Sequence, residues 1–530
     1  MDYDNYNNMT LIGALDQGTS SSRFLIFSTD TWEIVTMHQT PMESTYPQEG
    51  WVEQDPKQIL STSLLCITRA VEKLVDMGRD PNDIKAIGIT NQRETTISWD
   101  KITGEPLYPA IVWQDNRTSE LLEGLMKANG VKDKDKECLK DKCGLPLSTY
   151  FSAGKIKWLI TNVPQVSEAV QDERCLFGTV DSWIIWNFNR NNGVGKGDLH
   201  ITDVTNASRT MLMNIATLEW DEDLCKFFGI PMHTLPEIRS SSEIYSRISL
   251  SPHLKDVPIS GILGDQQAAL VGQRCLLPGS VKNTYGTGCF LLYNTGTKLI
   301  YSKHGLLTTV AYKLGPGGVT HYALEGSVAI AGAAITWLVK SLNLMKDEHE
   351  TESLAKSVPN TNGCYFVPAF SGLYAPYWDP NARGIICGLS HATNKGHIVR
   401  ATLEAISFQT KEILDAMNKD TLNSHDIKSL HVDGGMATNK TLMQIQSDIA
   451  GIDIIRHEML ENTALGAAMA AANAKGIDLY DIEGAQAHYF EFTKFQPNIS
   501  LPERQEKYTM WKKAVRRSLY WEGLQDIYQD

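Results

Sequence analysis

Two short turns in opposite halves of the chain carry residue types that grip an anion. The first is Asp16-Gln17-Gly18-Thr19-Ser20-Ser21-Ser22-Arg23, followed by the apolar run Phe24-Leu25-Ile26-Phe27. The second is Tyr285-Gly286-Thr287-Gly288-Cys289, followed by Phe290-Leu291-Leu292-Tyr293. Each reads as strand, Gly-Thr turn, strand. Glycine lets the backbone approach a ligand closely, and successive N–H groups and hydroxyls in such a turn form a concave anion site. Two of them suggest a polyphosphate held between two halves, with Asp16 as a hard oxygen ligand for Mg²⁺. A third glycine turn, Asp433-Gly434-Gly435, resembles an adenosine-binding turn. Asp265 stands between the apolar run Ile259–Leu263 and a helix. A carboxylate there is either a helix cap or a general base that accepts a proton from an alcohol during phosphoryl transfer. Arg93-Glu94, at the end of the strand 84–90, is either a surface ion pair or a diol clamp, with one donor and one acceptor for neighbouring hydroxyls. Trp113, Tyr150 and Phe290 are either core or the apolar wall that the carbon chain of a small polyol requires.

The elements that must hold these groups follow from pattern. Residues 11–27 read as a β-hairpin around the first turn. The strand 84–90 delivers Arg93-Glu94, and 112–115 ends a further short strand. The charged stretch 118–140 reads as a solvated helical face, and 189–197 as a surface loop. A helix from Val328 to Leu338 is expected after Ala323–Ser327. An alanine-rich helix is expected from Thr463 to Ala474, with Gly476 as its stop. Strands alternating with helices in both halves indicate α/β layers, with a boundary near residue 263.

At 530 residues the chain is too long for one core. The formal net charge of −13 argues against a nucleic-acid partner or an acidic membrane surface, so an anionic ligand must be bound through local features. The 9 cysteines are scattered, and no Cys-x-x-Cys occurs, which reads as free thiols in a reducing compartment. Residues 1–8 resemble neither a signal nor a transit peptide, and no stretch is long and apolar enough to span a membrane; a cytoplasmic location is expected. No Walker A or protein-kinase motif set is present, so nucleotide chemistry must use another fold.

Taken together, the first turn, Asn91–Thr96, Thr149–Ser152, Asp203–Thr210, Gly264–Leu270, Asn283–Phe290 and Val432–Gly435 resemble the FGGY carbohydrate kinases, and within them the branch that phosphorylates glycerol. The likeness runs in order from about residue 11 to about 515, and around residues 363–374 it looks closer to animal than to bacterial members. It implies an α/β fold of two ribonuclease-H-like domains around a central cleft, as in actin, hexokinase and the Hsp70 ATPase. The domains would be 11–263, with the glycerol site and first phosphate loop, and 264–515, with the second phosphate loop and adenosine site. The implied reaction is ATP-dependent phosphorylation of glycerol to sn-glycerol 3-phosphate, with Asp265 as general base and ATP and Mg²⁺ as cofactors. By position, Arg93, Glu94, Tyr150, Asp265 and Gln266 match the polar glycerol contacts, and Trp113 and Phe290 the aromatic wall. Thr19, Ser20, Ser21 and Arg23 match the first phosphate loop and Thr287 the second. Gly332 matches a helix beside the phosphates, and Gly435 and Asn439 the adenosine turn. The resemblance leaves a homodimer open.

Overall fold

The computed structural model describes residues 9–132, 135–189, 199–249, 254–370, 372–379, 381–422, 427–484 and 491–521. The readings of residues 1–8 and of most of the 189–197 loop fall outside them.

Two sheets dominate. The first contains β1 (Leu11–Gln17), β2 (Ser21–Ser28), β3 (Ile34–Pro41), β4 (Ile84–Asn91), β5 (Ser242–Arg247) and β6 (Pro258–Gly264), in the order β5-β6-β4-β1-β2-β3. The second contains β7 (Val281–Tyr285), β8 (Cys289–Gly296), β9 (Leu307–Lys313), β10 (Thr320–Val328), β11 (Ser429–Asp433), β12 (Asp453–His457) and β13 (Phe492–Phe495). Their order is β9-β10-β8-β7-β11-β12-β13.

The sheets repeat one plan. In the first, β1 pairs antiparallel with β2 and parallel with β4, β4 pairs parallel with β6, and β6 antiparallel with β5. In the second, β7 pairs antiparallel with β8 and parallel with β11, β11 parallel with β12, and β12 antiparallel with β13. Each Gly-Thr turn is therefore the tip of an equivalent hairpin. The central strands are buried on both faces, which is why β1 and β6 read as nearly unbroken apolar runs.

Four helices position the site: α1 (Asp265–Gly272), α2 (Gly332–Lys340), α3 (Lys440–Ala450) and α4 (Asn462–Asn473). α4 lies between β12 and β13 of the second sheet in sequence yet packs on β1, β4 and β6 of the first, and against α1. The approach is backbone to backbone: a Cβ on Gly466 would lie 1.8 Å from the carbonyl oxygen of Ala268. The alanine-rich composition of α4 answers that need, and its core joins Ile12, Ala14 and Leu263 to Leu292 and Ala323 of the second sheet.

Two expectations shift. Val328 is the last residue of β10, held there by pairing with Cys289, so the helix opens at Gly332. Ser119–Ala128 is the helical part of the charged stretch, and Leu122 and Met126 on it are buried, so its face is only partly solvated. All nine cysteines are unpaired. Among the described residues, no helix is long and apolar enough to cross a membrane.

Candidate active site

The tips of β1 and β7 open onto one cleft of about 440 Å³. It is lined by Thr19 and Ser20 from the first turn, Thr287 and Gly288 from the second, and Arg93, Glu94, Trp113, Tyr150, Asp265, Gln266 and Phe290 between them. Residues that the sequence scatters over nearly three hundred positions thus share one wall. Met42, Ser44, Tyr46 and Gln114 complete the lining; sequence reasoning did not select them.

The first turn is braced from outside. Gly18 N–H donates to the Ser21 carbonyl at 2.9 Å, closing the hairpin. Gln54 Nε2 donates to the Thr19 carbonyl at 2.7 Å, and Trp113 Nε1 to Thr19 Oγ1 at 2.9 Å. Trp113 is therefore an anchor of the turn as well as a wall. Its ring meets Tyr150 at 5.5 Å and Phe290, from the other half, at 5.9 Å, both edge-on. Ser21 is buried beside the turn, outside the cleft lining. Arg23 bridges the halves: its Nη1 lies 2.7 Å from Glu461 Oε2.

Arg93 and Glu94 are a buried pair, not a surface pair, each about 2% exposed in its side chain. Both guanidinium ends of Arg93 are taken by Glu325, at 2.6 and 2.8 Å. What remains toward the cleft is its Nε edge, 3.3 Å from Asp265 Oδ1 and 3.8 Å from Glu94 Oε1. Tyr150 OH lies 3.4 Å from Arg93 Nη2. Glu94 is gripped by Arg209 Nε at 2.7 Å, and Arg209 Nη2 reaches Glu325 at 3.1 Å. Burial opposes charge on Glu325, but Arg209 and Arg93 pull its carboxyl down to about 2. Two arginines and two glutamates thus form a closed square beneath the pocket floor. Glu325 and Arg209 were not selected from sequence. The available signal was a lone carboxylate in the apolar strand Tyr322–Val328, a residue type rarely buried without a partner.

Asp265 is the first residue of α1, and Gly264 occupies the cap position, so the helix-cap alternative fails. Its Oδ1 accepts the Gln266 N–H at 2.8 Å, and 28% of the side chain is exposed to the cleft. Burial raises its carboxyl above the ordinary range; Arg93 and Lys282 oppose that shift and Glu94 adds to it. Asp16, 9% exposed, is pushed up to about 7, first by burial and then by Glu461 and Asp265, against Arg23. Gln266 Oε1 accepts from the buried Lys282 at 2.5 Å.

The expected nucleotide residues meet on the second sheet. The carbonyl of Gly286 accepts from Gly332 N–H at 3.1 Å, and that of Thr287 from Ala331 and Ala333 N–H at 3.0 and 3.1 Å, so the turn rests on the start of α2. Gly434 has φ +87° and would place a Cβ 2.3 Å from the Tyr285 carbonyl, so β11 turns tightly against the base of the hairpin. Gly435 next to it faces open space. The side chain of Asn439 is used locally, capping α3 by accepting from Leu442 N–H at 3.0 Å. Gly332 lies beside the second turn, where a Cβ on it would come 3.3 Å from Met436 Sδ, of the segment that carries Gly435 and Asn439; these three residues are outside the cleft lining.

Comparisons with known proteins give the family of the chain. The N-terminal domain of the FGGY family of carbohydrate kinases matches residues 11–272, and its C-terminal domain residues 281–474. The chain belongs to the FGGY family of carbohydrate kinases. It is 50% identical to a glycerol kinase of Brucella anthropi, over 96% of this chain and 99% of the relative. It is 47% identical to a probable glycerol kinase of Dictyostelium discoideum, over 96% and 98%. Among solved structures, Plasmodium falciparum glycerol kinase with ADP superposes with a TM-score of 0.85 at 39% identity, covering 97% of this chain and 99% of that one. A xylulose kinase from Lactobacillus acidophilus, at 21% identity and a TM-score of 0.80, shares the fold.

Proposed function

We propose that this FGGY kinase transfers the γ-phosphoryl group of ATP to a terminal hydroxyl of glycerol, giving sn-glycerol 3-phosphate, with Asp265 as general base. One observation carries the reading: a carboxylate held off the cap position faces a cleft whose two ends are equivalent Gly-Thr turns. Residues 11–263 supply the polyol contacts and first phosphate turn. Residues 264–515 supply the second turn and the adenosine side.

Glycerol sits between Arg93, Glu94, Tyr150, Asp265 and Gln266, with its carbon chain against Trp113 and Phe290. The Arg93–Glu325–Arg209–Glu94 square fixes the two clamp residues before substrate arrives, so their orientation costs no reorganisation at the moment of reaction. Asp265 removes the proton from the attacking hydroxyl as that oxygen approaches the γ-phosphorus in line. Thr19 and Ser20 on one side, and Thr287 on the other, hold the phosphates, with Ser21, Arg23 and Gly332 backing the two turns; Gly435 and Asn439 border the adenosine. Most of the acceleration comes from positioning and charge neutralisation.

Asp16 suits a divalent cation. It is a buried carboxylate whose neighbours include Glu461 and Asp265, and a cation would stabilise its ionised form. Mg²⁺ commonly keeps several waters and binds through one or two carboxylates plus substrate phosphates, so a lone acidic residue is enough. Bound there, the ion would neutralise charge on the phosphates. The test is ADP release across glycerol, dihydroxyacetone, xylulose and erythritol. Glycerol should give the highest kcat/KM, and a preference for xylulose or erythritol overturns the reading.

A further inference from the structure

Lys282 is an aliphatic-looking position on β7 that holds a cation with no solvent exposure. Its Nζ donates to Gln266 Oε1 at 2.5 Å and to Thr284 Oγ1 at 3.0 Å. Residues 282 and 284 point to the same face of the strand. Thr284 is the register partner of Asp433 on β11, the last residue before the Gly434-Gly435 turn. The Asp433 carboxylate is 1% exposed and feels the Lys282 charge, and its Oδ1 has no hydrogen-bond partner among the described residues. A short row of neighbouring side chains, Gln266, Lys282 and Thr284, thus ends at Asp433. At its other end, Gln266 lines the cleft beside Asp265.

We propose that Lys282 is a positioning residue that couples the polyol pocket to the nucleotide turn, holding Gln266 on one side and, from its seat on Thr284, the buried Asp433 charge on the other. The inference rests on the functional reading above and deepens it. An ammonium has three donors, and a buried cation that loses a partner is strongly disfavoured. A ligand that shifts Gln266 therefore shifts the cation, and the cation shifts the foot of the adenosine turn. Burial already strains the charge: it pushes the Lys282 amine down to about 8, with Asp433 opposing and Arg93 adding to the effect. Each ligand thereby pre-arranges the residues that the other meets, which is a coupling free energy between two sites.

The experiment measures the glycerol dissociation constant by calorimetry on the full chain, with and without saturating ADP and Mg²⁺. The ratio of the two constants is the coupling factor. The wild-type factor is expected to favour joint binding by about fivefold or more. Thr284→Val keeps the shape and β-branching of the residue while removing the hydroxyl that holds the ammonium beside Asp433, and should bring the factor down by about threefold or more. Lys282→Met should bring it near one and weaken glycerol as well; if that variant fails to fold, Thr284→Val decides. A purely structural lysine would change stability and leave the factor intact, so an unchanged factor in Thr284→Val, or a wild-type factor of one, overturns the proposal. Those outcomes are distinct from failure of the functional reading, in which wild-type protein would neither bind nor phosphorylate glycerol.

Discussion

At the residue scale the site separates groups that react from groups that hold them. Asp265 has its carboxylate in the cleft, and its neighbours are fixed by others. Asp265→Asn preserves shape and removes the base, so kcat should fall by about 10²–10⁴ while the glycerol KM changes little. Steady-state kinetics checks this, and near-normal turnover would rule out Asp265 as the base. Glu325 is the contrasting case, a residue that touches no solvent and holds Arg93 and Arg209. Its carboxyl lies at about 2 in the folded protein against an ordinary 4.5. A depressed acid contributes stability that is present above the unfolded value and lost as pH falls toward the folded one. Glu325→Gln should therefore cost about 3 kcal/mol near neutral pH, with the gap to wild type narrowing below pH 4.5. Urea denaturation at pH 7 and pH 4 reads the difference, and a gap that does not narrow on acidification would contradict the assignment.

At the element scale the proposed nucleotide side depends on close backbone packing. The turn after β11 must bend under the hairpin tip of β7, and only a residue without a Cβ fits at Gly434. Gly434→Ala forces both a left-handed φ and a collision with the Tyr285 carbonyl. Strain of this kind costs about 1–3 kcal/mol, so ADP affinity should drop by about tenfold or more while glycerol binding alone is less affected. Calorimetric titration of the two ligands separately makes the comparison, and equal losses for both would argue against a nucleotide role for this turn. The expected helix at Val328 shows the limit of reading elements from pattern. Small and apolar residues suit a strand end or a helix start equally, and the pairing of Val328 with Cys289 decides.

At the scale of the whole molecule, the two sheets repeat one topology and meet across α1 and α4. The Arg23–Glu461 pair and the Trp113–Phe290 contact also span the halves. Each half offers one Gly-Thr turn to the shared cleft, so ligands that contact both should draw the halves together. Small-angle scattering is expected to give a smaller radius of gyration with glycerol and a non-hydrolysable ATP analogue than with neither. An unchanged profile would mean that the domains do not move on binding.

The sequence by itself carried the information that is local. The two Gly-Thr hairpins, the strand that ends at Arg93-Glu94, the junction at Asp265 and the alanine-rich α4 were legible because turn chemistry and hydrophobic period act over a few residues. The family resemblance rests on those same segments. The square of Arg93, Glu325, Arg209 and Glu94 was not legible, nor was the Lys282 row. The partners that close the square lie far apart in sequence, 232 positions for Arg93 and Glu325 and 115 for Arg209 and Glu94, and a charged side chain carries no mark of which distant charge will neutralise it. The same holds for Arg23, which the tertiary structure commits to Glu461, and for α4, whose sequence neighbours are in one sheet and whose packing partners are in the other. Local propensity selects the element; burial of charge and the fit of backbone against backbone, which exist only once the chain has folded, select the partner.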